Sequence, residues 1–199
     1  GMEEIKKTIR IVILFLLVIS GIIGIYYMTS KEYAKITVFT EWISGDENKS
    51  ESAKYVEVID SKSSFIDKCY HLINNESAPE EEMKYEKIAF YLVIGGSIIT
   101  IFGAILFGIK KKIFLGIIGQ IMCFSGAFLF SKIIMEIDKT IVEESGIFGG
   151  FISKLYEIST TADTLKWIFI VCFIAVGLLS IIHMYNPEKS IAEMQEEEE

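Results

Sequence analysis

The chain has 199 residues, of which 51% are hydrophobic and 23% charged, with a mean hydropathy of +0.44; one soluble core would not need that mixture, so apolar and charged residues must be segregated. A net charge of −8 excludes an electrostatic partnership with nucleic acid. Three cysteines are too few for a disulfide framework.

Lys6, Lys7 and Arg10 precede a run without formal charge, Ile11 to Ser30. It exceeds the apolar core of a signal peptide, and no small-residue cleavage site follows Tyr26 and Tyr27, so it reads as a retained signal anchor. Three further charge-free runs occupy Ile88 to Ile109, Ile113 to Ser131 and Trp167 to Tyr185. A helix needs roughly 20 such residues to cross a bilayer. The runs show neither the alternation of barrel strands nor the amphipathic period of helices in a soluble core. The chain therefore reads as an all-α membrane protein, a four-transmembrane-helix bundle with spans at 11–30, 87–109, 113–135 and 165–185.

Lysine and arginine near span ends set orientation. The basic residues before the first span and Lys110, Lys111 and Lys112 between spans two and three put the N-terminus 1–10, the turn 110–112 and the C-terminal tail 186–199 in the cytoplasm. The two exported segments, 31–86 and 136–164, are acidic: 31–86 holds 7 lysines against 13 acids. The expected location is a plasma or cytoplasmic membrane, as a multi-pass protein.

Within the first exported segment, Ile36, Val38, Thr40 and Trp42 alternate with Thr37, Phe39, Glu41 and Ile43. A second β-rich run covers Tyr55 to Ile59, and Ser44 to Lys54 between them is rich in turn formers, which predicts a hairpin with a long loop. Phe65, Ile66, Cys69, Tyr70 and Ile73 recur at helical spacing. Hairpin and helix together predict a small extracytoplasmic α+β subdomain resting on extended transmembrane helices. Trp42 and Tyr55 are its candidate partner-binding residues. Cys69, the sole exported cysteine, is either a free thiol on an apolar helix face or a crosslink to a partner. Asn48-Lys49-Ser50 and Asn75-Glu76-Ser77 fit the glycosylation pattern.

Pro79 followed by Glu80, Glu81 and Glu82 predicts that the second transmembrane helix starts outside the lipid, with the acids at the positive end of its dipole. Small residues at every fourth position mark helix interfaces in membranes. The second span carries Gly96, Thr100, Ala104 and Gly108, and the third carries Gly119, Cys123, Ala127 and Ser131. The lysine turn makes these helices an adjacent, antiparallel pair, whose stripes face either each other or the other two helices. Ser20, Gly24, Cys172 and Ser180 continue the pattern in the outer spans. Gln120, the one strongly polar side chain near mid-span, is expected to join helices by hydrogen bonding. Ile133, Ile134, Ile137 and Ile141 extend the third helix outward to Ser145-Gly146. Asn186-Pro187 should stop the last helix before an acidic tail.

His71 and His183 fall on opposite sides of the predicted membrane. The sequence shows no nucleophile set, phosphate loop or paired-cysteine motif, so no catalytic residue, metal ligand or cofactor is expected. The plan of a short inner turn and a larger first outer loop with β character and a tryptophan resembles the claudin and tetraspan superfamilies in topology and length only, although a tetraspanin has its larger loop second, with a Cys-Cys-Gly. The chain departs from them in having Glu41 before Trp42, where claudins carry Gly-Leu-Trp, and a lone Cys69 in place of two cysteines. The expectation is a non-enzymatic scaffold or accessory subunit that contacts membrane lipid and engages a protein partner or a second copy. The alternative is an oligomeric channel or transporter, with Gln120, Ser97 and Thr100 lining a path between subunits.

Overall fold

A computed structural model describes residues 1–185 and 194–198; the helix stop at Asn186-Pro187 and most of the acidic tail lie outside the described residues. Four helices are long and apolar enough to cross a membrane: α1 (Met2–Ser30), α4 (Glu80–Lys110), α5 (Phe114–Glu144) and α7 (Ala162–Met184). Each of the first three outruns its charge-free stretch. Helix α1 starts at Met2 with Glu3 and Glu4 in its first turn, and α4 starts after Pro79 with three glutamates in its own; in both, acids meet the positive end of the helix dipole. At 1.5 Å per residue, the 31 residues of α4 and of α5 span roughly 46 Å against a hydrocarbon core of about 30 Å. Their surplus length carries the rest of the fold. At the opposite end Lys111 adopts the left-handed conformation, φ 58°, and its N–H closes on Phe107 O at 2.9 Å, reversing the chain into α5.

A head stands where α1 ends and α7 begins. Its sheet has the order β2-β1-β3, all antiparallel, from β1 (Glu32–Val38), β2 (Lys49–Lys54) and β3 (Tyr156–Thr160). Central β1 pairs Ile36 with Glu51 on one side and with Ile158 on the other. This corrects the predicted hairpin in three places. The first strand stops at Val38, because Thr40 to Gly45 fold into a single helical turn, α2 (Glu41–Ser44), closed by left-handed Gly45 at φ 75°. The second strand comes from the stretch read as a loop, where Ala53 alone is buried and no apolar alternation announces it. Tyr55–Ile59, read as a strand, is a 3-10 turn whose buried Tyr55 and Val58 sit three residues apart, the period of that helix. The third strand comes from the segment between α5 and α7 and fills the free edge of β1.

One apolar core joins head and bundle. Phe130 of α5 meets Tyr33 at 4.7 Å and Tyr55 at 4.9 Å between ring centroids, and Tyr33 meets Phe65 at 5.7 Å. Edge-to-face aromatic contacts of this kind favour a fixed geometry. A second cluster, Ile13, Leu17, Ala104, Phe107 and Val176, fills the other end of the bundle.

Helices α4 and α5 approach closely enough that a Cβ on Gly96 would lie 2.8 Å from Gly119 O, one on Gly103 2.5 Å from Gly116 Cα, and one on Gly126 2.7 Å from Ala89 O. The contact positions are thus Ala89, Val93, Gly96, Thr100 and Gly103 against Gly116, Gly119, Cys123 and Gly126, alternating steps of three and four. The predicted every-fourth stripe drifts about 40° per step around a helix of 3.6 residues per turn. Gly96, Thr100, Gly119 and Cys123 therefore lie in the seam, while Ala104 packs among residues of α1 and α7 and Gly108 is exposed, 3.5 Å from the Leu14 side chain at its would-be Cβ. Ala127 lies in the upper core, and Ser131 donates a hydrogen bond to Asp163 of α7 rather than facing α4.

Candidate binding surfaces of the head

Strands β1 and β3 attach to the bundle at Glu32 and Thr160, so their other ends, Val38 and Tyr156, point away from it. There Phe39 N–H donates to Leu155 O at 2.7 Å, bringing α2 and the segment before Leu155 to one tip. Trp42 stacks on Phe39, 6.1 Å between centroids, yet is 77% exposed beside exposed Ile43. Across the strand ends, a 3-10 turn, Gly146–Phe148, and α6 (Gly149–Ile152) leave Ile147 94%, Phe148 63% and Phe151 63% exposed. The turn depends on two glycines: Gly146 sits at φ 59°, and a Cβ on Gly149 would lie 2.7 Å from Val142 O. Five large apolar side chains left exposed on α2 and on the turn and α6 that precede β3 constitute an unusual surface for a polar head. Of the two partner-binding candidates, Trp42 is at this tip and Tyr55 is not. Tyr55 is fully buried, its hydroxyl 2.9 Å from Thr161 Oγ1, and cannot reach a partner.

A groove runs down the side of the head between α3 (Phe65–Asn74), the start of α4 and the outer half of α5, with a cavity of about 590 Å³. The position of α3 is set by caps. Ser64 Oγ accepts from Asp67 N–H at 3.1 Å, and Glu86 of α4 accepts from Ile66 N–H at 3.1 Å. Asp67 accepts from Ala78 N–H at 2.9 Å and lies 3.3 Å from His71 Nε2, holding the connection to α4. These bonds satisfy backbone donors that a helix start leaves open. Ile66, Cys69, Ile133 and Ile137 line the groove deeply, while Glu82, Glu136 and Glu144 border it, with Lys132 the one basic lining residue. Tyr70 donates to Glu82 Oε1 at 3.2 Å, and burial together with that bond pushes its pKa up to about 12.

Cys69 in the groove lining and Tyr33 and Glu86 behind it are buried titratable groups. Burial raises the Glu86 carboxyl to about 8, against the opposing pull of N–H bonds from Ile66 and Phe65, with Asp67 adding to the rise. Its Oε2 and the Tyr33 hydroxyl have no hydrogen-bond partner among the described residues. Burial, then the Glu86 charge, pushes the Cys69 thiol far up. Thiolate is the reactive form, so of the two readings for Cys69 the structure supports a buried free thiol. Gln120 is buried too, but neither atom of its amide finds a hydrogen-bond partner among the described residues. Among the described residues it makes no hydrogen bond that would join helices, contrary to expectation. His71 lies in the head and His183 packs edge-on to Phe107, 5.6 Å between centroids, at the opposite end.

No protein-family model, curated protein or solved structure matches this chain.

Proposed function

We propose that this chain is a non-enzymatic scaffold or accessory subunit of a plasma or cytoplasmic membrane, with both termini in the cytoplasm and an acidic extracytoplasmic head that engages a protein partner. The observation that carries this reading is the exposed tip of Trp42, Ile43, Ile147, Phe148 and Phe151. Aromatic and aliphatic side chains held out in water at the far end of a folded head are the composition of an interface centre. The orientation rests on Lys6, Lys7, Arg10 and Lys110 to Lys112 at one end of the bundle and the acidic segments at the other.

Conduction has less support. An ion path between subunits needs polar groups to replace hydration, and Gln120, Ser97 and Thr100 are all buried within the single chain.

A photo-crosslinking residue in place of Trp42 or Phe148 in intact cells should give one discrete protein adduct, and the same residue at Ile109 should not. Phe151→Asp should abolish the Trp42 adduct without changing expression. Absence of adducts at both tip positions would overturn the reading, as would ion flux from reconstituted protein above that of empty liposomes.

A further inference from the structure

The two outer edges of the head's sheet are built differently. Between β1 and β3, Phe39 N–H donates to Leu155 O at 2.7 Å and Thr161 N–H to Tyr33 O at 3.1 Å, with Thr37 opposite Glu157 and Lys35 opposite Ser159 in the same register. Backbone groups alternate sides along a strand. Glu157 and Ser159 therefore bond to β1, and Tyr156, Ile158 and Thr160 turn their N–H and C=O groups away from it. Among the described residues none of those outward groups has a hydrogen-bond partner.

On the other edge the outward residues of β2 are Ser50, Ser52 and Lys54, because Glu51 and Ala53 face Ile36 and Ala34 of β1. Side chains close that edge: Lys68 Nζ donates to Ser52 O at 2.7 Å, and Lys54 N–H donates to Glu57 Oε2 at 2.6 Å. Covered backbone groups and lysines are how sheets keep an edge from pairing. Strand β3 has neither lysine nor proline, and its outward positions include β-branched Ile158 and Thr160, which suit a strand interior.

A row of open donors and acceptors at strand spacing matches only an extended backbone. A second copy in the same bilayer would be related by an axis along the membrane normal. Since β3 runs from Tyr156 down to the start of α7, two copies of it would meet parallel with Ile158 facing Ile158. Parallel ladders instead bond each residue to the two that flank its opposite, and here those flanking residues face β1. The occupant is therefore a different chain. Ile158 is half-buried on the face it shares with Ile36, and Glu157 is exposed on the other. Exposed Phe151 lies just before the edge, its C=O accepting from Lys154 N–H at 3.1 Å.

We propose that the outer edge of β3 binds an extended segment of the partner protein as a fourth, antiparallel strand, with apolar residues opposite Ile158 and lysine or arginine opposite Glu157. This is strand addition, in which main-chain bonds give affinity and alternate side chains give specificity. The inference rests on the accessory-subunit reading and names how the head holds its partner.

The test uses the full chain in nanodiscs of neutral phosphatidylcholine and fluorescent peptides of alternating valine and lysine, long enough to cover β3. In the proposed pairing the valines lie opposite Tyr156, Ile158 and Thr160, so valine N–H groups point at the edge and lysine N–H groups point away. By fluorescence anisotropy, N-methylating the valines should weaken binding at least about tenfold, the scale of several lost bonds, and N-methylating the lysines should not. Ile158→Pro removes an outward N–H and no bond to β1, and should weaken the unmethylated peptide similarly. Ser52→Pro, the same change on the closed edge, should leave binding unchanged. Glu157→Lys should shift the preference to a valine-glutamate peptide, which mere loss of structure would not do. No binding of the unmethylated peptide up to about 1 mM, or equal losses on methylating valines and lysines, would overturn the proposal. So would binding that needs Glu157 but tolerates methylated valines, which would assign the contact to charge alone. A dimer of the chain in detergent that Ile158→Pro dissociates would overturn it too, by giving the edge to a second copy. If the edge fails while adducts at Trp42 persist, the accessory-subunit reading stands without it.

Discussion

Glu86 is the place where the head should respond to pH, and Glu86→Gln isolates the response. The carboxyl is fully buried, has one oxygen unpartnered, and titrates at about 8 in the folded chain against an ordinary value of 4.5. With a folded pKa above the unfolded one, the folded state keeps a proton that the unfolded chain has lost. Stability therefore falls as pH rises from about 4.5 to about 8 and is flat in this group outside that window. At 1.36 kcal/mol per pKa unit, the interval amounts to about 5 kcal/mol. Glutamine keeps an oxygen to accept the Ile66 N–H and cannot ionise. The assay is thermal unfolding in non-ionic detergent between pH 5 and 9. Subtracting the variant's profile cancels the contributions of groups that do not interact with Glu86. Wild type should lose on the order of 10 °C more than Glu86→Gln over that range, the two proteins lying closest at pH 5. Parallel profiles would refute the assignment and would mean that water or the Tyr33 hydroxyl solvates the anion.

Gly103→Ala should cost about 1–3 kcal/mol by forcing α4 from the Gly116 backbone, whereas Gly108→Ala should be neutral or slightly stabilising; comparable losses in detergent melts would place the seam elsewhere. Gln120→Met should raise the melting temperature, because it removes an amide with no partner; a fall would reveal a bound water or ligand at the amide. An impermeant maleimide should label a cysteine at Asp46 or Ile147 from outside intact cells and one at Lys111 only after permeabilisation, and labelling of Lys111 from outside would reverse the topology. Native Cys69 should resist the same reagent until the head is denatured; rapid labelling of the folded protein would contradict its burial.

The four long helices were readable from the chain alone because a helix closes its backbone hydrogen bonds within itself. An uninterrupted apolar run that must cross hydrocarbon has few other ways to fold. The start of α4 was readable for the same local reason, Pro79 and three glutamates acting on the first turn. The small-residue seam was half readable: Gly103, Gly116 and Gly126 carry as clear a signal as Gly96 and Gly119, but it appears at steps of three and four rather than four. The head was different. Lys49 to Lys54 shows no apolar alternation, and it is a strand only because β1 supplies its partners. Tyr156 to Thr160 lies far away in sequence and is recruited by the other edge of β1. Tyr55 alternates like a surface strand residue, yet Phe130 and Tyr33 enclose it. The groove likewise exists only because Glu86 of α4 holds the start of α3 and Asp67 of α3 holds the connection at Ala78, placing α3 beside α4 and α5. Helices are decided within a few residues, whereas strand pairing, burial of one aromatic rather than another, and the space between two helices depend on contacts between segments that the chain order does not place together.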